Sequence, residues 1–247
     1  DTNRTVCTIV GTPDAVVEAA FQGIAMAERI IDMRNHSGAH ARMGATDVCP
    51  FVPVANMSMD ECVELANRLA KRVGEELNIP VYLYEFAAKT KDRRNLANIR
   101  AGEYEGFGEK IKKPEWKPDY GPSEFNVKSG ATVIGARKFL IAYNVNVNSR
   151  NERLAHNIAL DIRERGRWLR DENHKFVRDE KGQRVRKDGM LKECKAVGWY
   201  IDEYNRAQIS MNLTDFEVTP VHVAFDACVE SGQKYGLRIT GSELVGL

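Results

Sequence analysis

The sequence predicts an α/β protein with two lobes of similar architecture. Apolar segments typical of strands alternate with amphipathic helical segments along the 247 residues. In the second half these segments follow the order β-α-β-β-α-β, which is the ferredoxin-like, split βαβ arrangement. The first half resembles the later part of the same order. We place the boundary near Phe139 and expect one lobe in residues 1–138 and another in residues 139–247.

The first half opens on a predicted strand at residues 5–10 (TVCTIV). A helix is expected next, because Thr12, Pro13 and Asp14 are residue types that begin helices. The apolar face of this helix comprises Val17, Phe21, Ile24 and Ile31. Because no β-α-β segment precedes the first strand, we expect the first lobe to lack its opening part.

The rest of the first lobe is predicted as a strand, a helix and a second strand. Residues 47–55 are expected to be extended, and their two prolines restrict them to an edge strand or an irregular segment. Ser58 and Glu61 form a capping-box pattern for a helix that runs to about Leu77. Residues 79–86 are predicted to form the next strand. The buried stripe of the helix comprises Cys62, Ala66, Leu69, Val73 and Leu77.

The second half has clearer strand signals. Residues 138–147 end in strict alternation, which predicts a strand. Residues 194–201 and 207–213 are strand-like and a short polar stretch separates them, which indicates a hairpin. A last short strand is expected at residues 237–240. These four strands supply the β elements of the predicted ferredoxin-like order.

Two helices complete the predicted second lobe. Residues 151–165 carry apolar side chains at four-residue spacing, which is typical of an amphipathic helix. Further on, Thr219 is expected to cap a helix that has Pro220 at its first position.

Two long polar segments interrupt this pattern. Residues 89–130 are rich in Gly, Pro, Lys and Arg, and long loops of this kind in compact domains are often functional. Residues 166–193 form a charged insertion with nine Lys or Arg against six acidic residues. Within it, residues 177–185 are expected to form a small exposed hairpin. The insertion has the composition for binding a polyanion, but a solvated surface loop is the favoured interpretation.

The composition argues against several classes of protein. The formal net charge of +1 gives no reason to expect nucleic acid or an acidic membrane as a partner. No apolar run approaches the ~20 residues of a membrane span, and no signal segment is visible. The five cysteines are scattered and form no CxxC pair, which argues against a disulfide framework or a cysteine-based zinc site. We therefore expect a cytoplasmic protein with reduced thiols.

The segment HSGAHARMG holds His36 and His40 within five positions. Two histidines four residues apart can share a zinc ion on a helix, but Gly38 between them disfavours the helix. A structural turn is the interpretation that spacing alone favours. Proton transfer by an imidazole, with the neighbouring arginines keeping it neutral, is the third alternative.

A second candidate segment is the glycine-bounded stretch at residues 121–130 (GPSEFNVKSG). Glycine would let the backbone approach a ligand closely, and Ser123, Asn126 and Lys128 would supply polar contacts. The alternative is an exposed linker between the lobes. Neither a GxxxxGK[ST] motif nor a strand-linked GxGxxG is present, so phosphate-loop chemistry has no support.

Several stretches together resemble one family, the formiminotransferase domain of glutamate formimidoyltransferases and formiminotransferase-cyclodeaminases. The resemblance covers nearly the whole chain, in order. The stretches are ARMGATDVCPFVPV (41–54), VYLYEFAA (81–88), RRNLANIRAGEYEG (93–106), PDYGPSEF (118–125), GARKFLIAYN (135–144) and VGWYIDEYNRAQISMNLTDFEVTPVH (197–222).

The resemblance implies two ferredoxin-like α/β subdomains packed around a substrate cleft. It also implies transfer of a formimino group between N-formimino-L-glutamate and tetrahydrofolate, with tetrahydrofolate as co-substrate and no metal. His40 matches the family's catalytic histidine, which leaves His36 without an assigned role. The stretch that matches the family's folate-binding segment is Gly121, Pro122, Ser123, Glu124, Phe125, Asn126, Val127, Lys128, Ser129 and Gly130. Family members tend to be homodimers.

Some features qualify these expectations. Ala41 stands where the family commonly has proline, so the residue after His40 is less constrained in φ. Segments that the family carries at both ends are expected to be missing, which keeps a non-catalytic folate-binding or scaffolding relative as the alternative. Because both substrates carry carboxylates, Arg42 and Arg137 are candidates for bidentate pairing with them, chosen by residue type and neighbourhood.

Overall fold

The structure is a computed structural model that describes residues 3–38 and 41–245. The chain divides into two compact units, residues 1–137 and residues 138–247. His40 lies outside the described residues. Within the described part of the chain, no helix is both long enough and apolar enough to cross a membrane.

The first unit is built on a parallel sheet. Strands β1 (Val48–Phe51), β2 (Val81–Glu85) and β3 (Thr132–Ala136) lie in the order β1-β3-β2, and β3 pairs in parallel with both neighbours. The edge position of β1 confirms the prediction drawn from its prolines, since an edge strand needs fewer backbone donors. No strand was predicted at β3, which is the buried centre of this sheet.

The predicted strand at residues 5–10 is wrong. These residues form no strand, and Val6 and Val10 are 85% and 80% exposed. Their β-branched composition suits a pleated, half-buried surface, but no described strand pairs with them and no core covers them. At this position, strand propensity without a partner strand is therefore insufficient to form a strand.

Helices α1 (Pro13–Ile30) and α2 (Met59–Glu76) pack together into one apolar core with the sheet. Pro13 lies at the first turn of α1, as predicted, and Val17, Phe21 and Ile24 of its apolar face are buried. The capping box of α2 is confirmed: the Glu61 amide donates to Ser58 Oγ, and the Ser58 amide donates to the Glu61 carboxylate.

A second core in this unit contains parts of the polar segment at residues 89–130, which is therefore not one long loop. Three short helices occur there: α3 (Lys91–Arg94), α4 (Leu96–Arg100) and α5 (Glu103–Lys110). Apolar residues of α4 and α5 pack with Tyr82 and Val133 of the sheet. A buried ion pair also lies here, with 2.9 Å between Arg93 Nη1 and the Asp119 carboxylate, whose side chains are 8% and 4% exposed.

The second unit has the predicted ferredoxin-like order. It comprises β4 (Ile141–Val147), α6 (Glu152–Ile162), an insertion with β5 (Arg167–Trp168) and β6 (Arg186–Lys187), β7 (Cys194–Ile201), β8 (Arg206–Leu213), α7 (Val221–Lys234) and β9 (Ile239–Val245). The main sheet has the order β7-β8-β4-β9, and every neighbouring pair is antiparallel. Both helices pack into a single core with this sheet.

The predicted cap of α7 is wrong in detail. The helix begins at Val221 with Pro220 as its N-cap, and no side chain caps it. Thr219 instead donates its hydroxyl to the carbonyl of Lys192 at 2.6 Å. Thr219 therefore holds the start of the helix against the segment before β7 rather than capping the helix.

The insertion at residues 166–193 is a small β structure. Its three short segments meet in a closed ring of backbone hydrogen bonds between Leu169, Val177 and Val185. The hairpin predicted at residues 177–185 is confirmed by the bridge between Arg178 and Arg184. One row of side chains alternates guanidinium groups with aromatic rings, and it comprises Arg170, Phe176, Arg184, Trp168 and Arg186.

Candidate active site

The segment before His40 is fixed to the glycine-bounded loop at residues 121–130. Met33 is buried, and its amide donates to the Lys128 carbonyl at 2.8 Å. The Asp32 side chain accepts from the Arg34 amide and closes a short 3-10 turn that ends at His36. Hydrogen bonds from the Arg34 guanidinium lower the pKa of Asp32 to about 2. The chain entering the His40 segment therefore has a defined path.

The segment after His40 is fixed to the same loop. Met43 is 1% exposed, and its carbonyl accepts from the Ala131 amide at 3.1 Å. Gly44 forms an antiparallel bridge with Gly130, and the Ala45 amide donates to the Ser129 carbonyl at 2.9 Å. Both flanks of His40 are thus hydrogen-bonded to one end of the predicted folate-binding stretch.

Asp47 holds the second flank from the other side. Its Oδ1 accepts from the Met43 amide at 2.9 Å, and its Oδ2 accepts from Arg4 Nη1 at 2.8 Å and from Arg100 Nη2. Arg4 also donates to the Ala41 carbonyl, directly after His40. Charge-assisted bonds of this kind are about twice as strong as neutral ones, so Asp47 anchors this flank firmly.

Arg42 links the two flanks to each other. Its Nη2 donates to the His36 carbonyl at 3.0 Å and to the Glu105 carboxylate, and its Nη1 contacts the Glu103 carboxylate at 3.4 Å. The backbone amide of Glu105 donates to the Glu105 carboxylate, and this bond lowers the pKa of Glu105. The hydrogen bond and the charge of Arg42 lower it further. Both terminal nitrogens of Arg42 are therefore engaged within the protein, which competes with the predicted pairing of Arg42 to a substrate carboxylate.

The loop at residues 121–130 closes on itself through Asn126. The Asn126 side-chain oxygen accepts from the amides of Lys128 and Ser129, and its carbonyl accepts from the Gly130 amide at 2.7 Å. Lys128 extends to α1, where its ammonium donates to Glu28 and to the Arg29 carbonyl. Asn126 and Lys128, which were predicted to contact a ligand, thus also have structural partners.

The two glycines that bound this loop are required by contacts inside the protein. Gly121 has φ +81°, and a Cβ there would lie 2.3 Å from the Ile79 carbonyl oxygen. Gly130 has φ +68°, and a Cβ there would lie 2.1 Å from the Met43 carbonyl oxygen. Close backbone packing inside the protein therefore gives both glycines a structural reason, and close approach of a ligand to them stays a prediction.

Tyr104 ties the loop to the flank of His40, and the sequence analysis did not select it. Its amide donates to the Arg42 carbonyl at 2.9 Å, and its hydroxyl donates to the Val127 carbonyl. Its ring packs on Phe125, whose ring also contacts Phe107. The signal available in the sequence was its place in the family-like stretch IRAGEYEG at residues 99–106.

The remaining residues of the loop differ in exposure. Pro122 is half-buried, whereas Ser123, Glu124 and Val127 are exposed. Ser129 is buried, and its hydroxyl has no hydrogen-bond partner among the described residues. The exposed residues of the loop are therefore Gly121, Ser123, Glu124 and Val127.

Arg137 lies at the far end of β3 from the His40 flanks. The strand begins beside Ala131, which contacts Met43, and it ends at Ala136. Six residues of strand span about 20 Å. Arg137 hydrogen-bonds to Tyr84, whose pKa burial raises to about 12. The structure does not bring Arg137 next to Met43.

Of the two histidines in this segment, only His36 lies within the described residues. No group of three or more His, Cys, Asp or Glu side chains that could hold a metal ion occurs in residues 3–38 and 41–245. The ring Nδ1 of His36 lies 3.3 Å from the Asn3 amide nitrogen, which gives this side chain a local partner.

The chain is similar to known proteins over its whole length. Residues 1–137 match the family model of the formiminotransferase domain, N-terminal subdomain, and residues 142–247 match that of the formiminotransferase domain. Formimidoyltransferase-cyclodeaminase of Gallus gallus is 51% identical over the whole chain, which spans 42% of that protein. Glutamate formimidoyltransferases of Thermoplasma acidophilum and Streptococcus pyogenes serotype M1 are 45% and 40% identical over 99% of the chain, which covers 74% and 75% of their lengths.

The chain thus spans less than half the length of the bifunctional relatives and about three quarters of the single-function ones. Both family models match in chain order, and the resemblance drawn from the sequence motifs is confirmed. The chain belongs to the formiminotransferase domain family.

Proposed function

We propose that this protein transfers the formimino group of N-formimino-L-glutamate to tetrahydrofolate. The products are L-glutamate and 5-formiminotetrahydrofolate, and the reaction belongs to histidine degradation. The observation that carries the proposal is the set of backbone contacts that join both flanks of His40 to residues 128–131. A folate held at residues 121–130 would lie beside the segment that carries His40.

The chemistry needs a base and an acid in sequence. N5 of tetrahydrofolate attacks the amidine carbon, and a tetrahedral intermediate forms. His40 takes the proton from N5 and then delivers a proton to the glutamate nitrogen as its bond to carbon breaks. An imidazole with an ordinary pKa of about 6.5 is largely neutral at cellular pH and can do both.

The binding roles follow from the sequence match. Residues 121–130 would hold tetrahydrofolate, with the exposed Ser123 and Glu124 on the side open to a ligand. Arg42 would bind a substrate carboxylate while it also contacts Glu103 and Glu105, and Arg137 would act at the other end of β3. Tetrahydrofolate is the co-substrate, and no step in this scheme requires a metal. We further propose that the protein is cytoplasmic, in keeping with its scattered cysteines, all of which are free thiols. We also propose a homodimer, as the family resemblance implies.

The first test is His40→Ala, assayed by glutamate release from formiminoglutamate in the presence of tetrahydrofolate. Loss of a general acid–base group should lower kcat by about 10²–10⁴-fold. His36→Ala is the matched control and should retain activity, because its side chain contacts only Asn3 among the described residues. Near-normal turnover by folded His40→Ala would overturn the assignment. Binding of 5-formyltetrahydrofolate without any transfer by the wild-type protein would favour the non-catalytic alternative.

A further inference from the structure

Arg100, at the end of α4, has a guanidinium group that is fixed but not fully used. Its Nη2 pairs with Asp47, and its Nε is buried without a hydrogen-bond partner among the described residues. Its Nη1 also makes no hydrogen bond among the described residues. Unlike Nε, Nη1 is not buried, so it reaches solvent. One edge of Arg100 is therefore anchored while another N–H group faces outward.

The backbone around Arg100 is held by Lys110. The buried Lys110 ammonium donates to the carbonyls of Asn98, Ile99 and Ala101, at 2.7, 2.7 and 2.9 Å. These carbonyls lie on both sides of Arg100, so the end of α4 cannot shift without breaking charge-assisted bonds. With Asp47 fixing the side chain and Lys110 fixing the backbone, little conformational freedom remains to be lost when Arg100 binds a ligand.

Arg42 and Arg100 differ in the donors that they leave available. Both terminal nitrogens of Arg42 contact acceptors of the protein. Arg100 uses only one of its terminal nitrogens, and the Asp47 carboxylate that it contacts also faces Arg4. Asp47 is the only carboxylate that pairs with Arg100 among the described residues, and it is shared with Arg4, which favours a further anion at Arg100.

The position of Arg100 suits a substrate that reacts at His40. Asp47 joins Arg100 to the Met43 amide, and Met43 is three residues after His40. Three extended residues span at most about 10 Å. The carboxylates of formiminoglutamate lie only a few bonds from the amidine carbon, so a carboxylate held at Arg100 would keep that carbon near the Met43 flank of the His40 segment.

We propose that Arg100 binds a carboxylate of the formimino donor through its Nη1. The identity of the ligand rests on the proposed function, whereas the anion site itself rests on the geometry of Arg100, Asp47 and Lys110. Arg100 is then a residue that determines specificity for the donor, and Asp47 and Lys110 position it.

The test measures kcat and KM for formiminoglutamate in Arg100→Gln and Arg100→Lys. Loss of a charge-assisted hydrogen bond should raise the KM for formiminoglutamate by about 10–100-fold, with a smaller change in kcat and in the KM for tetrahydrofolate. Arg100→Lys keeps the charge and should recover part of the loss. Arg94→Gln is the matched control, because it removes the same charge from the neighbouring helix α3 and should leave the KM unchanged.

Donors that lack carboxylates sharpen this test. N-formiminoglycine lacks the side-chain carboxylate, and formamidine lacks both. If Arg100 binds one of these groups, Arg100→Gln will discriminate less than the wild type between formiminoglutamate and the analogue without that group. A fall in kcat with unchanged KM and unchanged discrimination would overturn the proposal and would leave Arg100 a role only in holding Asp47.

The failure of this proposal can be separated from failure of the proposed function. If the wild-type protein transfers no formimino group, the proposed function fails, and calorimetry with formiminoglutamate still tests Arg100. Binding that weakens at least tenfold in Arg100→Gln would support the anion site. No binding by the wild type, or equal binding by both proteins, would overturn it.

Discussion

Arginine has two different roles in the two units of this protein. In the first unit Arg42, Arg93 and Arg100 are largely buried, and each contacts a carboxylate. In the insertion of the second unit Arg170, Arg184 and Arg186 stack on aromatic rings instead. Arg186 lies 3.7 Å from the ring centre of Trp168, and Arg184 lies 4.2 Å from that of Phe176.

The difference follows from burial. A buried guanidinium that lacks a counter-charge is costly, so the first unit pairs its arginines with carboxylates that are distant in sequence. These directional bonds fix the loops around His40. The arginines of the insertion are more exposed, and Arg170, Arg184 and Arg186 have no carboxylate partner among the described residues. Their flat contact with rings stabilises a structure that is too small for a core of its own.

The largest expected effect of breaking an arginine contact is at the buried pair in the first unit. Asp119→Ala leaves Arg93 buried without its counter-charge and removes the acceptor of the Leu83 amide. We expect the free energy of unfolding to fall by about 3–5 kcal/mol. Urea denaturation followed by tryptophan fluorescence measures it, because Trp116 lies 5.9 Å from the Arg93 guanidinium.

The control for this experiment is Asp92→Ala, which removes an exposed carboxylate close by in sequence. It should change stability by less than about 0.5 kcal/mol, since surface substitutions away from special features have small effects. An equal loss in both variants would contradict the view that burial of the ion pair is what matters.

The next largest effect is expected where the His40 flank meets the 121–130 loop. Gly130→Ala would place a Cβ 2.1 Å from the Met43 carbonyl oxygen at a left-handed residue. Backbone strain at Gly130 and displacement of Met43 and Gly44 should lower the free energy of unfolding by about 2–4 kcal/mol. They should also weaken the binding of 5-formyltetrahydrofolate. Chemical denaturation and fluorescence titration measure the two effects.

The insertion supplies a matched control for Gly130. Gly182 also has a left-handed φ, of +75°, but a Cβ there meets no atom within 4 Å. Gly182→Ala should therefore lower the free energy of unfolding by only about 1 kcal/mol, which is the strain of a left-handed alanine. The difference between the two variants isolates the contact with Met43. If both variants lost the same stability, that contact would have no energetic role.

Much of the fold could be predicted from local sequence patterns, and the second unit shows why. Its strands alternate over seven or eight residues, and β7 and β8 are joined by a short polar turn. The capping box of α2 is equally local, since Ser58 and Glu61 are three residues apart. Such patterns predict structure because the contacts that they create lie within one or two elements.

The errors concern segments whose structure depends on distant partners. Residues 5–10 have strand propensity but no pairing strand, whereas β3 is central because β1 and β2 flank it. Around His40 the same limit applies, because Arg42 and Glu105 are 63 residues apart, and Arg100 and Asp47 are 53 apart. The family resemblance could select His40 and the glycine-bounded loop as candidates, but residue spacing could not indicate which carboxylates pair with Arg42 and Arg100.

The smallest expected effect is at the ring-stacked arginines. Arg186→Gln removes a guanidinium from the Trp168 ring but exposes no buried charge, so the second unit should lose only about 0.5–1 kcal/mol. The control is Arg178→Gln, because Arg178 donates to the Gly182 carbonyl and contacts no ring among the described residues. It should have a smaller effect on thermal unfolding, and neither variant should change glutamate release. A loss at Arg186 as large as that in Asp119→Ala would remove the distinction between the two roles, because it would mean that a ring-stacked arginine stabilises its unit as strongly as a buried, carboxylate-paired one.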